Sequence, residues 1–480
     1  MTLRHFDMAG QMSFAALSGD YNPMHVNPHL ARRLQTGGAV VHGVHAVLWA
    51  LDTVLRQGLV KGRIRSIGCR FGKFILVGSD LTVRVQRADE QSALIQLETD
   101  GLVTTTLNVK FGTRDEVAAE TEEGQPLPAQ PEERDVPEMT ALSRRFLPQR
   151  PLAEYTAAFP ALAENIGHER IAGLTLLSSI VGMSVPGVHS IFDSFDVALV
   201  EQPGPATMGF RVEAADQRFR QVRMKVSGGG LQGAMTTFVR RPMPVPPSVA
   251  SLAEHVKPDE FAGTRTLIIG GSRGLGALTA KLIAAGGGDV VVTYAQGQDE
   301  AAAVAAEINA FAKRDACVTA RFDVLADSAE DLAAGLGSVS HMYYFATTKI
   351  FRQKPGLFVP SIFEDFARVY VHAFRSCCQA LLGAGSLSVF YPSSSALDKR
   401  SNDMTEYSMA KAAGEVLCAD MDRYVPNLRI VSNRLPRMLT DQTATVALAK
   451  SEDPLTVMLP IIRDVQIMPP PAASKMPVKP

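Results

Sequence analysis

Leu17-Ser18-Gly19-Asp20-Tyr21-Asn22-Pro23-Met24-His25, followed by Ala39-Val40-Val41-His42-Gly43, is the stretch on which the reading of the first part of the chain turns. Asp20 and His25 straddle an Asn-Pro turn, so one tight bend presents a carboxylate and an imidazole to the same point. Such a pair can hold a water and move protons in both directions. Asp in a Gly-Asp-x-Asn-Pro run also serves as a turn or helix cap. What favours chemistry is His42-Gly43 opening an apolar run. A helix N-terminus there offers free N–H groups and the positive end of the dipole to an oxygen gaining charge.

Working outward, residues 44–56 are apolar on most faces, as a helix wrapped by a sheet should be. Strand-like segments follow at 63–76, 81–87, 92–99 and 102–111. Residues 17–25 with Val41-His42-Gly43 resemble the MaoC-like, R-specific enoyl-thioester hydratase/dehydratase family, a hot-dog fold. Phe71-Gly72-Lys73-Phe74 and Gly78-Ser79-Asp80-Leu81 echo the strand and turn that follow in that family. The resemblance implies that Asp20 and His25 are the catalytic dyad and that the amide of Gly43 takes the oxyanion position. Asn27 stands where that family commonly has aspartate. His5, His29 and His45 are expected to be solvated or core residues.

A second block repeats the plan faintly: a helix over 171–183, then strands at 190–199, 207–213, 219–226 and 231–240. It resembles the companion half of double-hot-dog proteins but has no Gly-Asp-x-Asn-Pro-x-x-His, so it is expected to complete the core and wall the acyl tunnel. His189 reads as structural, with a catalytic role as the alternative.

The third block opens Thr266-Leu267-Ile268-Ile269-Gly270-Gly271-Ser272-Arg273-Gly274-Leu275-Gly276. An apolar strand running into glycines and then a helix suits a pyrophosphate, which sits at the helix N-terminus. The next strand, Val290 to Tyr294, ends in no Asp or Glu for a ribose hydroxyl, and Arg273 can pair with a 2′-phosphate, which favours NADP(H). Farther on, Ser393-Ser394-Ser395 closes a strand, and Tyr407 and Lys411 share one helical face. A nearby ammonium lowers a phenol's pKa, so the set can deliver a proton to a ketone as hydride arrives.

This combination resembles the short-chain dehydrogenase/reductase family. The match implies Tyr407 as acid/base, Lys411 as its partner and Ser394 as the serine, with Ser393 and Ser395 as rivals. The cofactor would meet Gly270, Ser272, Arg273, Gly274, Leu275, Gly276, Asp323, Ala346, Pro436 and Thr440. Departures are Ile269 for the usual threonine, Tyr344-Phe345-Ala346-Thr347 for Asn-Asn-Ala-Gly, His372 at the proton-relay asparagine, and Arg437 after Pro436.

The whole chain has 480 residues and a net charge of −1, with 48 basic against 49 acidic side chains. That balance gives no reason to expect nucleic acid or an anionic membrane as partner. Hydrophobic residues at 46% suffice for globular cores. No apolar run reaches the roughly 18 residues of a membrane span, and residues 174–185 are broken by serine. Five scattered cysteines show no zinc spacing, so no metal site is expected and the compartment reads as reducing and cytoplasmic.

The expected architecture is an α+β double hot-dog followed by an α/β Rossmann-like doubly wound parallel sheet. Its parts are a hot-dog at 1–114, a linker at 115–139, a degenerate hot-dog at 140–241, a Pro-rich linker at 242–262, a dehydrogenase-like block at 263–460 and a tail at 461–480. The two resemblances imply a 3-oxoacyl-thioester reductase joined to a 3-hydroxyacyl-thioester dehydratase in fatty-acid- or polyketide-type biosynthesis. Running backwards, the same sites would serve β-oxidation. A third reading leaves one block catalytic and makes the other an acyl-binding or assembly module. The substrate would be a thioester of coenzyme A or of acyl carrier protein, and a homo-oligomer is expected.

Overall fold

The computed structural model describes residues 2–118, 122–202, 206–242, 245–352, 354, 356–383, 385–440 and 451–467. Parts of both expected linkers, residues 441–450 and the Pro-rich tail from 468 therefore lie outside the described residues. The chain separates into two compact units that change over at Pro242 and Met243.

Unit one is one ten-stranded sheet curled round two central helices. Its strands are β1 (Thr2–His5), β2 (Ile64–Phe71), β3 (Asp80–Ala88), β4 (Ser92–Thr99), β5 (Leu102–Phe111), β6 (Ser143–Phe146), β7 (Ser190–Leu199), β8 (Met208–Asp216), β9 (Gln221–Gly228) and β10 (Leu231–Val239). The order is β1-β3-β4-β5-β2-β7-β10-β9-β8-β6. Read from either edge inward the plan is the same, so two hot-dog halves meet at the antiparallel pair β2–β7, where Cys69 faces Phe195.

The central helices are Gly43–Arg56 and His168–Ser179, the second continuing as a π-helical turn over Ile180–Ser184. Both are buried on nearly every face because each lies between sheet and partner helices. One apolar core takes side chains from both halves, among them Leu48, Leu51, Ile67 and Val109 from the first and Leu174, Leu176, Val197 and Met224 from the second. Asp52, buried on the first central helix, accepts the N–H groups of Ala161 and Leu162 at the head of a second-half helix.

The sequence reading runs its first long strand to residue 76, but β2 stops at Phe71 and the chain crosses through Gly72 and Lys73, both bonded to Thr104 O. The edge strands β1 and β6, four residues each, carry too short a pattern to be read from sequence. Residues 115–139 are not a free spacer where described: Val136 and Met139 are fully buried, and Gln125 bridges Phe146.

Unit two is a six-stranded parallel sheet, β11 (Arg265–Ile269), β12 (Asp289–Tyr294), β13 (Cys317–Arg321), β14 (His341–Tyr344), β15 (Leu387–Ser394) and β16 (Leu428–Leu435), in the order β13-β12-β11-β14-β15-β16. Order reverses between β11 and β14, where ligands of doubly wound sheets bind beyond the strand C-termini. Apolar clusters on its two faces, one with Leu282 and Ile283, the other with Phe374 and Cys378, match helices packed on both sides. Val249, Leu252 and Phe261 of the expected second linker belong to the first cluster, so from there on that segment is part of unit two.

Candidate functional site

In unit one, Asp7 caps the helix Met8–Ser18, and Gly19 ends it at φ +82° while donating to Ala15 O. The positive φ favours glycine and turns the chain so that Asp20 points inward, 1% exposed. Asn22 then caps a single helical turn, Pro23–Val26, its side-chain oxygen accepting from the Met24 N–H, with proline at the first position. That turn carries His25. Its Nδ1 lies 2.7 Å from Val40 O and donates to it, so in the neutral ring Nε2 is the nitrogen left to accept a proton.

Asp20, His25 and His42 each bring one side-chain N or O atom to within 4.8 Å of the others. The rings of His25 and His42 stack with centroids 4.0 Å apart. His42 is buried and engaged at both nitrogens, Nδ1 at Gln11 Oε1 and Nε2 at the Asp20 carbonyl, 3.0 Å each. Burial holds His42 well below the ordinary imidazole range and pushes the Asp20 carboxyl above its usual value, against the opposing pull of His25 and a hydrogen bond from Ser178.

Gly43 begins the first central helix, whose first N–H groups have no intrahelical acceptor. The ring of Phe71 packs on it so closely that a Cβ at Gly43 would sit 2.6 Å from Phe71 Cε1. Phe71 in turn meets Phe192 and Phe195 of β7. Asn27 accepts from the Leu30 N–H and acts as a cap. His45 lies in the core, stacked on Phe14 and lowered to about 3 by burial, while exposed His5 pairs with Asp80 and His189 with Glu133.

In unit two the glycine loop leaves β11 with Gly270 at φ +78° and Gly274 at φ +55°. Gly276 lies so near the incoming chain that a Cβ would stand 2.3 Å from Gly270 O, and one at Gly270 would stand 3.1 Å from Ala346 N. Helix Gly274–Ala285 starts with no side-chain cap, leaving its N–H groups to a ligand. The loop therefore has the shape a pyrophosphate needs. Sequence reading missed Thr293: its hydroxyl accepts the Gly270 N–H at 3.1 Å, from the next strand rather than from the replaced Ile269 position. Ser272 faces Gly297, and Leu275 packs against the core. The Asp323 Oδ1 accepts from the Leu325 N–H and so caps a turn. Pro436 and Thr440 follow β16, both partly buried.

Ser394 ends β15, and its hydroxyl bonds the Tyr407 phenol on the helix Thr405–Tyr424. Ser393 instead donates to Glu415 at 2.5 Å. Lys411 is not among the groups that move the phenol. Burial pushes Tyr407 up to about 12, the Ser394 bond acting the other way. Lys411 is itself lowered to about 7 by burial. Its ammonium donates to Pro392 O at 2.7 Å and lies 3.9 Å from the centre of the Tyr370 ring, but 6.0 Å from that of Tyr407.

His372 is exposed and does not join the cluster. A π-helical turn at Arg368–Ala373 rotates the helix so that Tyr370 faces Tyr407 instead, its hydroxyl 2.6 Å from that of Thr347. Beside Tyr407, buried Glu406 pairs with Lys354 and accepts the Val359 N–H, tying the loop after β14 to the tyrosine helix.

Among proteins of known family, residues 4–109 match the MaoC like domain and residues 264–447 the short chain dehydrogenase family. A fatty acid synthase subunit beta of Aspergillus oryzae is 35% identical over 75 residues, a match that takes in 15% of this chain and 4% of that protein's length. Similar solved structures include an oxidoreductase from E. coli, 21% identical with a TM-score of 0.39 over 44% of this chain and 91% of that one. A short chain dehydrogenase from Shigella flexneri is 20% identical with a TM-score of 0.39, over 44% and 90%. No helix among the described residues is long and apolar enough to cross a membrane.

Proposed function

We propose that the chain is an enzyme whose part matching the MaoC like domain and part matching the short chain dehydrogenase family, a dehydratase-type and an oxidoreductase site, act on one acyl thioester. The reductase converts a 3-oxoacyl thioester to the 3-hydroxyacyl thioester, and the dehydratase removes water to give the trans-2-enoyl thioester, in biosynthesis of fatty-acid type. The observation that carries this reading is the Asp20–His25 pair, a buried carboxylate beside an imidazole whose tautomer is fixed.

In dehydration His25 Nε2 takes the α-proton while Asp20, kept protonated more readily by burial, gives a proton to the departing hydroxyl. Hydration reverses both transfers. The N–H groups at the head of the first central helix face the thioester oxygen as enolate charge develops.

In unit two Tyr407 holds the proton destined for the carbonyl oxygen, and Ser394 orients that oxygen through its hydroxyl. NADPH, when bound, supplies the hydride. Gly270, Gly274 and Gly276 give its pyrophosphate room, and Arg273 at the helix start pairs with the 2′-phosphate. Gly276→Ala would force the loop apart at a cost of roughly 1–3 kcal/mol. Calorimetric titration should then show NADPH binding weakened by about that much, with unit two still folded.

A second reading makes unit two an acyl-binding or assembly module. What favours it is Lys411, whose ammonium is directed at Pro392 O and the Tyr370 ring. Incubation with NADPH and 3-oxoacyl thioesters of coenzyme A and of acyl carrier protein, followed by mass spectrometry, separates the readings. Loss of the oxo group and loss of water are then scored independently, and water loss with no reduction on either carrier would leave the second reading standing. Faster NAD reduction than NADPH oxidation would instead assign the β-oxidation direction.

A further inference from the structure

We propose that Ser178 and Gly182, on the central helix of the second hot-dog half, form the seat of the Asp20 carboxylate, so that the half without a dyad is a working part of the dehydratase site. This rests on the reading of Asp20 as the dyad's carboxylate. The Ser178 hydroxyl donates to Asp20 Oδ2 at 2.6 Å, and both residues are buried, 4% and 1% exposed. The other oxygen, Oδ1, accepts the Asn22 N–H at 3.2 Å. One turn beyond Ser178, Gly182 lies directly beneath the carboxylate: a Cβ there would stand 2.1 Å from Oδ1 and 2.6 Å from Cγ. No larger residue leaves the carboxylate where it is.

The same helix grips the rest of the bend. Ser179 donates to Ser18 O at 2.5 Å, and the Asn22 amide donates to Gly182 O at 3.1 Å and to Gly187 O at 3.0 Å. The π-helical turn at Ile180–Ser184 makes this possible. With Val185 N bonded back to Ile180 O, the widened turn leaves the Gly182 carbonyl to Asn22.

Physically the seat does two things. It fixes the carboxylate's rotamer, which a one-sided bond from its own loop would not. It also supplies a donor against the desolvation that burial imposes, keeping the group able to both give and take a proton. Ser178 is thus a positioning residue that acts through Asp20, and Gly182 supplies the space.

The test uses the full-length chain and hydration of crotonyl-CoA, followed by loss of the enoyl absorbance across a pH range. Ser178→Ala is expected to lower kcat roughly ten- to a hundredfold, the worth of a hydrogen bond to a charged group, with KM little changed. The limb of the pH profile that Asp20→Asn removes should move to higher pH, because the hydroxyl that favoured the ionised carboxyl is gone. Gly182→Ala, at a helical position that tolerates a side chain in backbone terms, should displace the carboxylate and cost roughly 10² in kcat. It stands in if Ser178→Ala does not fold. Wild-type kcat and an unmoved limb in the folded variants would overturn the proposal. So would activity that falls only in proportion to the folded fraction. If Asp20→Asn keeps wild-type turnover, the dyad reading itself fails, a result distinct from an insensitive Ser178.

Discussion

Asp20→Asn and His25→Gln each lower water addition and water loss by roughly 10²–10⁴ while unit one stays folded, the range that a single general acid or base supplies. Asparagine keeps the shape of the carboxylate and its one carbonyl oxygen can still accept the Asn22 N–H, while its NH2 can donate to the rotated Ser178 hydroxyl, so the loss reports proton transfer and not collapse of the bend. Stability moves the other way. Burial raises the Asp20 carboxyl in the folded state above its unfolded value of 3.8. The unfolded chain therefore gives up this proton at lower pH, and stability is lost as pH rises through the folded value. At neutral pH and above, Asp20→Asn should melt no lower than the wild type, and a scanning calorimeter beside a hydration assay checks both halves of the statement. Retained turnover in either variant would remove the dyad.

Tyr407→Phe is expected to reduce 3-oxoacyl-thioester reduction by roughly 10²–10⁴ and to leave dehydration untouched. The ring keeps its edge contacts with Phe366 and Tyr370, so the loss is of the proton alone. Full reduction by this variant would remove Tyr407 as the proton donor. The pH dependence follows from Lys411. Its ammonium holds Pro392 O, two residues before Ser394, and with its folded value lowered to about 7 its discharge should loosen that serine, so reductive kcat/KM should decline as pH rises through that value. The unfolded chain, with lysine at its ordinary 10.5, binds more protons than the folded chain between those values, so this residue's contribution to stability rises with pH across the same window. A decline in activity without a decline in melting temperature would distinguish titration from denaturation.

Asp20 and His25 could be paired from sequence because they lie five residues apart, and local turn chemistry at Gly19, Asn22 and Pro23 already dictates how the chain must bend; the part His42 takes was not read. Ser178 was not, because its bond to Asp20 spans 158 residues and nothing in a serine on an apolar helix announces an acceptor so distant. The alternation of strand and helix made the parallel sheet readable, and the glycine spacing placed its ligand loop. What was not legible there was the π-helical turn at Arg368–Ala373, with Tyr370 facing Tyr407 and His372 exposed. Thr293 escaped notice because its partner, Gly270, is met across the sheet. The packed stretch around Val136 and Met139 was hidden by the prolines and glutamates surrounding it.

Because β2 and β7 pair within one polypeptide, the dyad and its seat are tethered at a fixed effective concentration. A site shared between separate chains would weaken on dilution; this one should give the same turnover per molecule at nanomolar as at micromolar protein. Duplication inside one chain also removes the requirement that both halves be identical, leaving one free to specialise in holding what the other uses.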